Sequence, residues 1–139
     1  MTVSVEQFPY VLRDPTLGVA SLAPMLPLTL HGKTGFACTG LIDSGAAINV
    51  LPYSHGLQLG FDWELQKQMI QLSGNLAAVE AHVVVATAKI GQLPEVRLAF
   101  GWAKTDAVPL ILGQVNFFLE YDVCFFRTRS LFEVRPRQA

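Results

Sequence analysis

The sequence is poor in charged residues, and the charges it has nearly cancel. Asp, Glu, Lys and Arg make up only 15% of the 139 residues, with 10 basic and 11 acidic side chains and a formal net charge of −1. Proteins that bind nucleic acid usually carry a basic excess, so we expect no nucleic-acid partner. Hydrophobic residues make up 51% of the chain, which argues against disorder and predicts exposed apolar surface where a partner binds.

Long apolar runs and basic leader residues are also missing. The most apolar stretches, 76–88 and 109–126, are interrupted by charged, histidine or amide side chains, whereas a membrane-spanning helix needs about 20 mostly apolar residues. We therefore predict no membrane span. The first ten residues contain no Lys or Arg, unlike a signal peptide, so we expect a cytoplasmic protein.

Cysteine is scarce as well. Cys38 and Cys124 are the only two cysteines and lie in apolar, strand-like runs, so we expect buried, reduced thiols, with a disulfide between them as the alternative. Two cysteines and three scattered histidines do not provide the ligand set of a zinc site. We predict no metal and no cofactor.

Frequent Pro and Gly between short apolar runs favour an all-β fold. We predict that residues 1–24 form an N-terminal arm that is irregular apart from one short strand. Residues 25–139 are predicted to form a single domain. The best helix candidate spans 57–68, and a second short helix is expected within 114–120. Strands are predicted at 25–31, 36–42, 46–51, 82–90, 96–102, 110–112, 121–126 and 131–134.

One further hairpin is predicted between the helix candidate and the next strand. Its strand-like arms are 69–72 and 76–79, and its tip is formed by Ser73, Gly74 and Asn75. A Gly-Asn pair between two apolar runs is typical of a projecting hairpin.

The segment 40–52 carries the strongest chemical signal. Asp43 stands between two apolar stretches and is followed at once by Ser44 and Gly45. A carboxylate between buried strands is costly unless it is hydrogen-bonded. The pattern therefore predicts a tight loop in which backbone N–H groups and the Ser44 hydroxyl hold the carboxylate, and in which the glycine permits unusual backbone angles.

This segment resembles the active-site loop of the retropepsin-like, single-domain aspartic proteases, which reads apolar-apolar-Asp-Ser/Thr-Gly-Ala. A second match is the run 109–114 with its apolar-apolar-Gly pattern, followed by 117–123. The third is the hairpin at Gly74, which lies where the family has its flap. The resemblance covers about 25–134 and implies a closed, single-lobe acid-protease β-barrel with one or two short helices and a flap hairpin.

The resemblance also implies an aspartic endopeptidase that acts as a homodimer. Such an enzyme needs two carboxylates that share one proton, and this chain has one Asp-Ser-Gly. A two-fold-related copy must therefore supply the second Asp43. The substrate would be an extended polypeptide bound much as an added strand.

The family assigns roles to particular residues of this sequence. Asp43 is the catalytic residue, with Ser44 and Gly45 supporting its loop and Ser44 bridging the dimer. Leu112 and Gly113 support the loop from the second matching run. The substrate-binding candidates are Ala46, Ala47, Ser73, Gly74 and Asn75.

Alternatives to this interpretation stay open. The flap tip lacks the Tyr of pepsin-like enzymes, and the N-terminal arm is longer than in a minimal retroviral protease and could be a propeptide, a dimer strap or a decoration. Asp43 could merely cap a turn in a catalytically inactive dimerisation or peptide-binding module. The enzyme could instead process only one partner or its own precursor. Serine-hydrolase chemistry is disfavoured, because Ile42 and Ala46 stand where a nucleophilic Ser44 needs glycines.

Overall fold

The computed structural model describes residues 4–138, and β-strands are its main regular structure. The 3₁₀ helices are Pro15–Ser21, Trp63–Leu65, Gly74–Leu76 and Arg127–Arg129, and the α-helices are α1 (Tyr53–Gln58) and α2 (Phe117–Glu120). The strands are β1 (Glu6–Pro9), β2 (Val11–Leu12), β3 (Leu22–Ala23), β4 (Met25–His31), β5 (Gly35–Ile42), β6 (Asn49–Leu51), β7 (Ala81–Lys89), β8 (Val96–Ala103), β9 (Ile111–Leu112), β10 (Tyr121–Phe126) and β11 (Leu131–Pro136).

Six of these strands form a closed barrel in the order β4-β5-β9-β6-β8-β7. The alternation along β4 explains its place in the wall: Leu26, Leu28 and Leu30 are buried, whereas Pro27 and Thr29 are exposed. Successive side chains of a strand point to opposite faces, so one face of β4 fills the barrel. The predicted all-β, closed-barrel fold class is confirmed.

The largest core side chains come from several elements. Trp102 and Phe100 of β8, Phe117 of α2, Tyr121 of β10 and Phe132 of β11 are all nearly inaccessible. Desolvation raises the pKa of the Tyr121 hydroxyl to about 12. These residues join the barrel to a second sheet, β1-β11-β10, so the C-terminal strands are part of the same core.

The N-terminal arm contains more regular structure than the sequence predicts. It has three short strands rather than one. β1 pairs antiparallel with β11, from Glu6 opposite Val134 to Pro9 opposite Leu131, and the Phe8 and Phe132 rings lie 5.5 Å apart. Phe132 is buried, and it gives β1 an apolar surface to cover.

The helix predicted at 57–68 is wrong. The helix instead begins at Tyr53, directly after Pro52, and ends at Gln58. Gly60 then has φ +84°, a left-handed value that favours glycine and ends a right-handed helix. The Asp62 carboxylate accepts a hydrogen bond from Glu64 N–H and begins a separate 3₁₀ turn.

The two strand-like arms predicted around Gly74 do not form either. Pairing is limited to a bridge between Met69 and His82, and Gly74–Leu76 is a 3₁₀ turn. Leu72 is buried in a small cluster with Val50. Burial of Leu72 against the barrel therefore outweighs the local preference for a projecting hairpin. We call residues 72–76 the covering loop.

Both cysteines are free thiols. The sequence predicts buried thiols, but Cys38 is only half-buried and Cys124 is exposed, because Cys124 lies on the outer face of β10. Burial raises the pKa of Cys38 to about 11, so its thiol is not a nucleophile at neutral pH. No helix within 4–138 has the length and apolar content that crossing a membrane requires.

Candidate active site

Asp43 directly follows β5, at the end of the barrel where β5 meets β9. These two strands are parallel, with Ile42 opposite Leu112. The N–H group of Asp43 donates to the Leu112 carbonyl at 3.0 Å. The Leu112 side chain is fully buried and anchors β9 in the core.

The Asp43 carboxylate is held within its own loop. Its Oδ1 accepts the N–H of Gly45 at 2.9 Å, and the Asp43 carbonyl accepts the N–H of Ala46 at 3.1 Å. Among residues 4–138, Gly45 provides the one hydrogen bond to this carboxylate, so the expected bond from the Ser44 hydroxyl is not formed within the chain. Ser44 is exposed, and Asp43 is half-buried.

Gly113 allows a second chain segment to approach the loop closely. A Cβ atom at this position would lie 2.5 Å from the Ile48 carbonyl oxygen and 2.7 Å from that of Ala46, which is too close for any side chain. Because this space is free, Gln114 N–H reaches the Ala46 carbonyl at 2.8 Å and Val115 N–H reaches that of Ala47 at 3.0 Å. Glycine at 113 therefore permits the close approach of the two backbone segments.

Asn49 is the buried polar side chain behind the loop, and the motif reasoning did not single it out. Its Oδ1 accepts the Gly113 N–H at 2.8 Å. Its Nδ2 donates to the Ala99 carbonyl at 2.9 Å and to Asn116 Oδ1 at 3.1 Å. A buried amide with all these bonds made fixes the relative position of β6, β8 and the Gly113 segment. The sequence feature that could have indicated this role is a single amide side chain inside the otherwise apolar run 48–51.

Gln114 supports the loop from its exposed side and was also missed. Its Nε2 donates to the Ser44 carbonyl at 2.8 Å. The backbone and the side chain of Gln114 thus hold two neighbouring parts of the loop. The carbonyl of Ser44 is therefore already occupied, while the Ser44 side chain lies in solvent.

A groove of about 200 Å³ lies beside Asp43. The predicted residues Asp43, Gly45, Ala46, Ala47, Ser73 and Asn75 line it, and the structure adds Ile48, Val50, Leu72, Leu76 and Ile111. The predicted residues outside this lining are Ser44, Gly74, Leu112 and Gly113. Asp43 is the one ionisable side chain in the lining, so the groove is apolar around a single carboxylate.

This arrangement presents a single carboxylate beside an apolar groove. A lone carboxylate can accept a proton or hold a water molecule, but it cannot act as acid and base at the same step. Within residues 4–138, no group of three or more His, Cys, Asp or Glu side chains is arranged to hold a metal ion. The exposed Ser44, Gly45 and Ala47 leave the loop open to a second molecule.

Comparisons with known proteins add information on the fold. No family model matches the sequence, and no curated protein matches it either. Among solved structures, the chain is similar to a retropepsin-like aspartic protease from Rickettsia conorii, with a TM-score of 0.64 and 13% sequence identity. The match covers 97% of this chain and 94% of the other. At that identity the likeness shows the fold alone: a retropepsin-like barrel that carries Asp43 at one end.

Proposed function

We propose that the protein is an aspartic endopeptidase whose active form is a homodimer, with one Asp43 from each subunit. The observation that carries this proposal is the half-site itself. Asp43 is held by the Gly45 N–H in a loop fixed from behind by Gly113 and Asn49, and it borders an apolar groove with no second carboxylate. The retropepsin-like fold supports the same interpretation.

The chemistry follows from two carboxylates that share one proton. The ionised Asp43 would take a proton from a water molecule, whose oxygen attacks the carbonyl carbon of the scissile peptide bond. The protonated partner Asp43 would donate its proton towards the carbonyl oxygen. Breakdown of the tetrahedral intermediate breaks the C–N bond and transfers a proton to the amine that leaves. Two acids about 3 Å apart share a proton because both cannot ionise easily.

The lining of the groove indicates the substrate class. Ile48, Val50, Leu76 and Ile111 are apolar and would favour an aliphatic or aromatic side chain beside the scissile bond. The exposed Ser73 and Asn75 of the covering loop can hydrogen-bond to the backbone of an extended peptide. An unfolded polypeptide with apolar residues is the substrate that fits.

The test compares Asp43→Asn with Asp106→Asn on an unfolded protein substrate at acid to neutral pH. Both substitutions remove one negative charge from an Asp. Asp106 is exposed, and its carboxylate accepts Ser54 N–H at 2.8 Å, a bond that an amide oxygen can keep. We expect Asp43→Asn to abolish cleavage and to leave the dimer intact, and Asp106→Asn to cleave like the wild type.

Two other outcomes have clear meanings. If the wild type cleaves no generic substrate but its own N-terminus is shortened relative to Asp43→Asn by mass spectrometry, the enzyme processes its own precursor. If neither the substrate nor the chain is cleaved, the endopeptidase proposal is wrong. A peptide-binding or dimerisation module then takes its place.

A further inference from the structure

Residues 11–23 form an N-terminal hairpin that is highly exposed. The hairpin consists of β2, the 3₁₀ helix Pro15–Ser21 and β3, and none of residues 11–22 is buried. Four of its apolar side chains are largely in solvent: Val11 is 42% exposed, Leu12 44%, Leu17 63% and Val19 73%. Clustered apolar exposure of this kind marks a contact surface in a folded protein.

The hairpin is nevertheless well ordered by its own hydrogen bonds. Arg13 N–H donates to the Ser21 carbonyl at 3.1 Å, and the Ser21 hydroxyl donates to the Asp14 carbonyl at 2.8 Å. The Asp14 carboxylate accepts Thr16 N–H at 3.0 Å. An apolar surface whose shape is already fixed loses little conformational entropy when it binds.

The path of the chain locates the base of this hairpin at the Asp43 end of the barrel. β3 leads through Pro24 into β4, whose first residue, Met25, pairs with Leu41. The Pro24 carbonyl accepts the N–H of Ile42 at 3.1 Å, next to Asp43. The base of the hairpin at Ala23 is therefore only two residues from Met25, where β4 begins beside the Asp43 end. The opposite end, at the turn between β4 and β5, contacts Leu59 after α1 through Lys33 N–H at 2.9 Å.

We infer that the N-terminal hairpin packs against a second copy of this chain and forms part of the surface that holds the two Asp43 loops together. The inference rests on the proposed function, in which the site is incomplete without that copy. A two-fold axis that brings two Asp43 residues together must pass this end of the barrel, where the base of each hairpin lies. Arg13 and Asp14 are the only ionic residues of the hairpin, and their opposite charges avoid repulsion between copies.

The experiment measures the dimer dissociation constant of the full chain by sedimentation, with cleavage followed over the same concentrations. The variant is Leu17→Ser with Val19→Ser. The matched control is Leu57→Ser, which removes an apolar side chain that is 49% exposed on α1, near the opposite end of the barrel. Val11→Thr is a second variant that keeps a β-branched residue in β2, and circular dichroism checks the fold of each protein.

We expect the double variant to raise the dissociation constant by at least about tenfold, because it removes two large apolar side chains from the buried surface of each copy. Val11→Thr should raise the constant less. Leu57→Ser should match the wild type. Cleavage by the double variant should return at protein concentrations that restore the dimer. If both hairpin variants dimerise like the wild type while the wild type cleaves, this inference is overturned and the proposed function stands. If the wild type is monomeric at every concentration, both are overturned.

Discussion

The Asp43 loop and the covering loop face the same groove but are held in very different ways. The first is fixed from behind by Leu112, Gly113 and Asn49, which belong to other parts of the chain. The second is anchored by Leu72, which is buried near Val50, while its exposed residues 73–75 bond to near neighbours, as in Leu76 N–H to the Ser73 carbonyl. Asp43 is thus on a rigid scaffold, while residues 73–75 lie in a segment that is fixed to the barrel mainly through Leu72.

The largest effect is expected from Gly113→Ala, which changes the segment that fixes the Asp43 loop from behind. The new Cβ would meet two backbone carbonyl oxygens, 2.5 and 2.7 Å away, and neither can move without displacing the Asp43 loop. We expect a loss of about 3 kcal/mol in the free energy of unfolding and a loss of cleavage even where the protein is folded. Denaturant unfolding and a cleavage assay check this, and wild-type activity in the folded variant would contradict it.

Asn49→Leu tests the buried amide that joins the strands behind the loop. The change leaves the Gly113 N–H and the Ala99 carbonyl without their partner, and each unsatisfied buried group costs about 1–3 kcal/mol. We expect a decrease of about 3 kcal/mol in unfolding free energy. The control, Asn75→Leu in the covering loop, alters an exposed residue and should change stability by no more than about 0.5 kcal/mol. Equal losses in the two variants would remove the distinction between the loops.

Gly74→Ala tests the exposed part of the covering loop. Gly74 has φ +64°, and a Cβ there would meet nothing within 4 Å, so the penalty is backbone strain alone, about 1 kcal/mol. We expect a small change in stability and a change in KM, because the covering loop would contact bound peptide. A loss of stability as large as that of Gly113→Ala would show that the covering loop is as firmly held as the Asp43 loop.

The smallest effect is expected from His55, which lies away from both loops, and it concerns the stability of the barrel at acid pH. Burial lowers the pKa of His55 below its ordinary value of 6.5, against a smaller opposing effect of Asp106. The unfolded chain therefore binds a proton more readily than the folded one, and this contribution to stability is present above about pH 6.5 and is lost as the pH falls.

His55→Gln should flatten the decline in unfolding free energy between neutral and mildly acidic pH. His31→Gln, at an exposed position, is the control and should keep the wild-type decline. Unfolding curves recorded over this pH range provide the measurement. If the unfolding free energy of His55→Gln declines as steeply with falling pH as that of the wild type, His55 is not the source of the acid dependence of stability.

The sequence predicts the barrel well because its strands are defined locally. In β4 the alternation of buried and exposed residues is visible without any partner strand, and the Asp43 loop follows from three consecutive residue types. The helix predicted at 57–68 is wrong because Gly60 has positive φ and ends the helix, a signal that the sequence itself contains.

The remaining differences depend on contacts that no local pattern contains. Asn49 binds Ala99 and Gly113, which lie 50 and 64 residues further along the chain, so its role cannot be seen in the segment 48–51 alone. The covering loop departs from a hairpin because Leu72 is buried near Val50. The roles of Ser44, Ala46 and Ala47 in dimer and substrate contacts stay predictions.

The most direct test of the central claim is to mix wild-type protein with Asp43→Asn and let the subunits exchange. If each active centre needs one Asp43 from each of two copies, a mixed dimer is inactive. An equal mixture should then retain about a quarter of the activity of an all-wild-type sample at the same total concentration, because only that fraction of dimers has two wild-type subunits. Retention of half the activity would mean that each chain acts alone, and would contradict the account.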